Sequence, residues 1–283
     1  MNQINKKDLL SINCNGELIS LSTPKVMGIL NITPDSFYDG GRYKDTKSIL
    51  IQVEAFLDQG ATFIDIGAYS SRPGAAFVSE EEELKRITPV IDLILKSFPD
   101  CKISIDSFRS KVIQKCVEAG AVISNDISSG KLDPLMFETI AKLKVPYIMM
   151  HMKGTPQNMQ KHTEYEDLVN DIYLYFSERI NRANEHGIED LILDPGFGFS
   201  KTLEQNYKVL NKLKVFKNLN YPILSGLSRK SMIYKTLEST SGEALNGTTA
   251  LNMLALINGT NILRVHDVKE AMECVKLFNM YSK

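Results

Sequence analysis

Eight short apolar runs recur along this chain, and each ends on a polar residue. The first four are Val26–Leu30 into Asn31, Phe63–Ile64 into Asp65, Ile103–Ile105 into Asp106 and Val122–Ile123 into Asn125. The second four are Tyr147–Met150 into His151, Leu191–Leu193 into Asp194, Ile223–Leu224 into Ser225 and Ile262–Val265 into His266. Each run has the length of a buried strand, and a helix-like segment follows it. The repeat averages about 33 residues, one strand plus one helix of an α/β, (β/α)₈ TIM barrel. In such barrels the strand ends line the active site. A barrel serving only as scaffold has no reason to gather Asn, Asp, His, Ser and Arg at that end.

The whole chain of 283 residues suits one barrel domain, 1–283, and its 43% hydrophobic content suffices for a large core. A formal net charge of -1 argues against a nucleic-acid surface but leaves room for a local basic site. Cys14, Cys101, Cys116 and Cys274 lack metal-like spacing and read as reduced thiols of a cytoplasmic protein. Met1–Asp8 is polar, and no run is long enough to span a bilayer, so no membrane partner is expected. Asn15-Gly16 between short apolar stretches predicts a β-hairpin over about residues 9–22, plugging the barrel bottom. Thr33–Asp45 and Ala68–Ser79 exceed a usual βα connection and read as functional loops. Helices are expected over Glu80–Ser97 (capped by Ser79), Lys111–Ala119, Asp133–Leu143, Thr163–His186 and Thr202–Phe216. Arg229–Leu237, Thr248–Ile257 and Val268–Met280 complete the set.

Two sites emerge from the strand ends. Arg72, Arg264 and His266 converge with Asn31 in a barrel, since the second and eighth strands both neighbour the first. Guanidinium forks match oxyanion geometry, so this group suits a phosphate or pyrophosphate, with Mg²⁺ near Asn31. The residue types equally allow Arg264 and His266 to pair with Asp residues on adjacent strands. Asp106, Asn125 and Asp194 can accept from the N–H-rich edge of a flat heterocycle such as a 2-aminopyrimidinone, with Lys230 donating to its carbonyl. The alternative is that each Asp caps its following helix, as Asp106-Ser107 suggests. Ser225–Ser231 enters a helix whose N–H groups and Ser231 hydroxyl favour a carboxylate, while Arg229 and Lys230 can also be read as solvated. No nucleophile elbow and no zinc spacing is present.

Seven segments, in order, resemble dihydropteroate synthases over essentially the whole chain. They are Asn31–Gly41, Ser70–Gly74, Ser104–Ser107, Asn125–Ser128, Met150–Gln160, Asp194–Lys201, and Ser228–Ser231 together with Arg264–Val268. The resemblance implies a transferase, usually a homodimer, that joins 6-hydroxymethyl-7,8-dihydropterin pyrophosphate to p-aminobenzoate in folate biosynthesis, a sulfonamide target. It implies pterin contacts from Asp106, Asn125, Ile127, Met152, Asp194, Phe199 and Lys230. It implies pyrophosphate contacts from Asn31, Arg72, Arg264 and His266, with Mg²⁺ at Asn31. Phe37, Ser71, Arg72, Pro73, Phe199, Lys230 and Ser231 would surround p-aminobenzoate, and Asp35 belongs to the first loop. Asp35, Asp106, Asp194, Lys230, Arg264 and His266 are the expected catalytic set. Tyr69, Ser71 and Ser200 depart from the usual Glu, Thr and Gly. The expected chemistry is a dissociative, SN1-like loss of pyrophosphate. Two alternatives share the pterin site: a methyltetrahydrofolate:corrinoid methyltransferase, and a non-catalytic pterin-binding paralogue.

Overall fold

Eight parallel strands form one sheet whose two edges meet, and the hairpin fills one end of the resulting barrel. The computed structural model describes residues 10–32, 38–39, 42–43, 46–69 and 78–283. The chain opens with β1 (Ser11–Cys14) and β2 (Glu17–Ser20), then β3 (Lys25–Asn31), two short antiparallel strands β4 (Tyr38–Asp39) and β5 (Arg42–Tyr43), and α1 (Thr46–Asp58). β6 (Phe63–Gly67), α2 (Glu80–Ser97), β7 (Ile103–Asp106), α3 (Ser110–Glu118), β8 (Ile123–Asp126) and α4 (Met136–Leu143) follow. Next come β9 (Tyr147–Met150), α5 (Leu168–Glu185), β10 (Leu191–Asp194), α6 (Leu203–Asn211) and β11 (Leu224–Ser225). α7 (Ser231–Tyr234), α8 (Leu245–Ile257), β12 (Ile262–Val265) and α9 (Val268–Tyr281) end the chain. The sheet order is β10-β9-β8-β7-β6-β3-β12-β11, and a parallel bridge between Leu193 and Ile223 joins its ends.

Alternation along each strand explains the apolar runs. Outward residues such as Val26, Leu30, Ile64, Ile66, Ile103 and Ile105 pack on the helices in one buried cluster. Contact is close: a Cβ on Gly28 would stand 2.8 Å from the Phe56 ring of α1, so only glycine lets that helix sit down. Inward residues change character along the axis. At the bottom, Met27, Phe63, Ile123, Ile148, Ile192 and Ile262 meet Ile12, Cys14 and Ile19 of the hairpin. Toward the other end the inward positions become Asp65, Ser104, Asp106, Asn125, Asp194 and Arg264.

The hairpin turns as expected. Asn15 (φ 53) and Gly16 (φ 88) both hold positive φ, the requirement of a type I′ turn, and Asn13 Oδ1 accepts the Gly16 N–H at 2.7 Å. Ser79 caps α2 by accepting the Glu82 N–H at 3.2 Å. Several helix bounds shift: those expected from Asp133 and Thr248 start at Met136 and Leu245, and three more change with a visible cause. The segment from Thr163 becomes helical only at Leu168, where Asp167 caps it. Thr202 caps α6 in a capping box, but the helix ends at Asn211 and a 3₁₀ helix covers Leu213–Leu219. The helix expected from Arg229 is reduced to Ser231–Tyr234, because Arg229 sits at φ 54, outside the right-handed region.

Candidate active site

The mouth of the barrel is built on two walls. The first comes from β6, β7, β8 and β12. Asp65 lies in the middle of β6, not at its end as the run suggested, because the strand continues through Ile66 to Gly67. Its side chain is fully buried. Asp65 Oδ2 accepts from Arg264 Nε at 2.6 Å and from Asn125 Nδ2 at 3.0 Å. Arg264 Nη2 donates to Asp106 Oδ2 at 2.7 Å. Arg264 therefore does pair with carboxylates, but on β6 and β7, two and three strands along the sheet, and not on its neighbours β3 and β11; Nη1 is left as the edge it can offer an oxyanion. Burial alone would lower the Arg264 pKa, but Asp65 and Asp106 hold it above the ordinary arginine value.

Asp106 does not cap a helix. α3 starts at Ser110, whose N–H goes to Asp133 Oδ2 at 2.7 Å, and Asp106 is held instead by Arg264 at the mouth. Burial pushes its pKa up to about 7; Arg264 opposes this, while Asp65, Glu83 and Asp126 add to it. Gly67 lies beside it, where a Cβ would stand 3.5 Å from Asp106 Oδ2.

The second wall comes from β10 and β11. Asp194 Oδ1 accepts the Gly196 N–H at 2.8 Å. Burial raises its pKa, opposed chiefly by Lys230. Lys230 donates to the Phe197 carbonyl and lies 4.9 Å from the Phe199 ring centroid. Burial lowers its pKa to about 8 against the pull of Asp194. Lys201, buried beneath, clamps the loop: its Nζ donates to the carbonyls of Gly196 (2.9 Å) and Phe199 (3.0 Å) and lies 3.1 Å from His151 Nδ1. Burial brings the Lys201 pKa down to about 7 and that of His151 well below its usual value.

Between the walls lies an apolar patch. Ile127, Met150, Met152 and Met159 cluster with Phe108 and Phe199, so three expected ring contacts, Ile127, Met152 and Phe199, come together. Asn31 ends β3 in register with Gly67. His266 follows β12; Ser228 Oγ accepts its N–H at 3.2 Å and lies 3.0 Å from its Nδ1. Arg229 is partly exposed yet holds Asp267 through Nε (2.9 Å) and Nη2 (2.8 Å), stitching the β11 and β12 exits together. That brace sets Lys230 facing inward and starts α7 at Ser231.

Two departures from the usual pattern have visible partners. Ser200 holds φ 50, the region glycine favours, and answers with two hydrogen bonds to Lys153, at 2.8 and 2.9 Å. Tyr69 packs edge-on against Phe108, and its hydroxyl accepts from Gln157 Nε2 at 2.5 Å. Asp35, Phe37, Ser71, Arg72 and Pro73 lie outside the described residues.

Sequence reasoning passed over Asp65 and Lys201 as site residues. The signal for Asp65 was a carboxylate inside an apolar run, with Ile on either side. For Lys201 it was a cation closing a turn-rich segment.

The chain is similar to known proteins over nearly its whole length. A family described as pterin binding enzymes matches residues 27–266. The dihydropteroate synthase of Escherichia coli (strain K12) is 43% identical over 270 residues, 95% of each chain. A Yersinia pestis dihydropteroate synthase, solved with a sulfonamide drug complex, superposes with a TM-score of 0.90 at 41% identity, covering 96% of this chain and 99% of that one. The Xanthomonas albilineans dihydropteroate synthase with 4-aminobenzoic acid gives a TM-score of 0.88 at 35% identity, covering 96% and 98%.

Proposed function

Since this chain belongs to the dihydropteroate synthases among the pterin binding enzymes, we propose how its own residues carry that reaction. The substrates are 6-hydroxymethyl-7,8-dihydropterin pyrophosphate and p-aminobenzoate; the products are 7,8-dihydropteroate and pyrophosphate. The observation that carries this reading is the convergence of Asp106, Asn125, Asp194 and Lys230 on one barrel mouth beside the Ile127–Met152–Phe199 patch.

The acceptors Asp106, Asn125 and Asp194 meet the ring's N–H edge, and Lys230 meets its acceptor side. The apolar patch covers a ring face and excludes water. Pyrophosphate leaves with the electron pair of the C–O bond. The electron-rich ring carries the resulting positive charge on its methylene, which Asp106 and Asp194 offset. Arg264, through Nη1, with His266 and Asn31 takes the leaving oxyanion. The neutral aromatic amine then attacks and loses a proton to solvent, so no strong base is needed. Phe199, Lys230 and Ser231 are the p-aminobenzoate contacts among the described residues.

Among the described residues no group of three or more His, Cys, Asp or Glu could hold a metal ion. Mg²⁺ ordinarily keeps its waters, takes substrate phosphate oxygens and needs only one or two protein oxygens. The Asn31 amide oxygen fits that role. Mg²⁺ bound there with the pyrophosphate supplies charge neutralisation to the leaving group. The four buried, unpaired cysteines support a cytoplasmic location. Exposed Leu277, Met280 and Tyr281 on α9 support a homodimer. No described helix is long and apolar enough to cross a membrane.

The test is turnover with both substrates and Mg²⁺, following both products. Dihydropteroate and pyrophosphate should form one to one, and Lys230→Ala should abolish both. Pterin binding without product would instead support the non-catalytic paralogue.

A further inference from the structure

The first wall turns on a group that reaches no ligand. Asp65 is fully buried. One oxygen, Oδ2, serves Arg264 Nε and Asn125 Nδ2 together, and the other, Oδ1, has no hydrogen-bond partner among the described residues. A buried carboxylate with an unmatched oxygen is costly. The sheet does not demand it: the register partner of Asp65 on β3 is Ile29, which also faces the barrel.

The consequence lies in the amide of Asn125. An amide presents a carbonyl on one side and N–H donors on the other, and its order in a site is set by what it bonds. Asp65 is a pure acceptor, so Nδ2 must face it. A flipped amide would set a carbonyl against a carboxylate. The carbonyl oxygen of Asn125 is thereby turned away from Asp65; the register partner of Asn125 on β7 is Asp106. The same carboxylate oxygen fixes Arg264 Nε, which points Nη2 at Asp106.

We propose that Asp65 is a positioning residue: it orients the Asn125 amide and the Arg264 guanidinium together, and so sets the donor–acceptor pattern that the mouth presents to a heterocycle. The inference rests on the ring-binding role of that mouth. Asp65 itself touches neither substrate.

The experiment measures affinity for bare 6-hydroxymethyl-7,8-dihydropterin by calorimetry, with thermal unfolding run on every variant. Asp65→Asn should weaken binding about tenfold or more in the parent background, but several-fold less in an Asn125→Ala background, because the amide to be oriented is gone and only the Arg264 share of the loss remains. Asn125→Asp should also weaken binding about tenfold or more, by setting two carboxylates together. The exchanged pair, Asp65→Asn with Asn125→Asp, rebuilds the same bond with the donor on β6, and should regain most of that loss. Should Asp65→Asn alone fail to fold, the exchanged pair against Asn125→Asp decides the matter. Should that fail too, the side-chain amide resonance of Asn125 in the parent, identified by its absence in Asn125→Ala, should show one slowly exchanging proton. Equal losses in both backgrounds, no recovery in the exchanged pair, or a freely exchanging amide would each overturn the proposal. A parent that does not bind the pterin would overturn the function proposed above instead.

Discussion

The two walls of the mouth hold their carboxylates by opposite means. Asp106 is held by another side chain, Arg264, which is held in turn by Asp65. Asp194 is held by backbone: the Gly196 N–H bonds its Oδ1, while Lys230 and Lys201 bond the carbonyls of Phe197, Gly196 and Phe199. A wall of paired charges is exposed to the loss of any one partner, because the rest stay buried without balance. A wall hung on backbone depends instead on loop conformation. The first wall should therefore fail by charge and the second by shape.

Removing Arg264 should give the largest effect. Arg264→Ala leaves Asp65 and Asp106 without their counter-charge and should cost about 3–5 kcal/mol of stability. Chemical denaturation reads this directly; a loss under about 1 kcal/mol would mean that the wall is not a charge cluster.

On the second wall, the corresponding break is Gly196→Ala. Gly196 holds φ 71, and a Cβ there would collide with the His151 carbonyl. The expected cost is about 1–3 kcal/mol, with weakened ring binding although no charge has changed. Unchanged pterin affinity in a folded Gly196→Ala variant would show that the loop does not set Asp194.

A pH titration sharpens the contrast. In the proposed function, ring binding needs Asp106 ionised and Lys230 protonated. Affinity should rise as pH passes about 7 and fall above about 8. Stability runs the other way for Asp106. Its folded pKa lies above the ordinary carboxylate value, so its stabilising protonation is complete at low pH and lost as pH rises to about 7. Asp106→Asn should thus be relatively more stable above pH 7 while binding the ring poorly. A flat affinity profile between about pH 6 and 9 would argue that neither group faces the ring.

The smallest effect is expected outside both walls. Tyr69→Phe removes the hydroxyl that accepts from Gln157 and should cost about 0.5–1.5 kcal/mol, with pterin affinity unchanged. A drop in pterin affinity would extend the site to that corner.

What was legible in the sequence follows from the same division. Buried parallel strands must be apolar along their length, so the eight runs marked the barrel, and Asn15-Gly16 marked the plug. Asp106, Asn125, Asp194 and Lys230 were legible because each ends a run or opens a helix. That Arg264 pairs with Asp residues was one of two open readings, but which ones was not legible, since Asp65 lies 199 residues away and no local pattern records the pairing. Asp65 was noticed only as the end of a run, because a five-residue strand with a buried charge at its centre breaks the rule that made the strand visible. The shortened helix at Ser231 was hidden because the positive φ of Arg229 is sustained by Asp267, 38 residues on, and by the carbonyls of Ser241 and Gly242.

The most direct test is calorimetric binding of bare 6-hydroxymethyl-7,8-dihydropterin to the parent, to Asp106→Ala and to Asp194→Ala. If the two walls close on one ring, the parent binds, and each single loss weakens binding about thirtyfold or more. A parent that does not bind, or either variant keeping affinity within about threefold of the parent, would contradict the account.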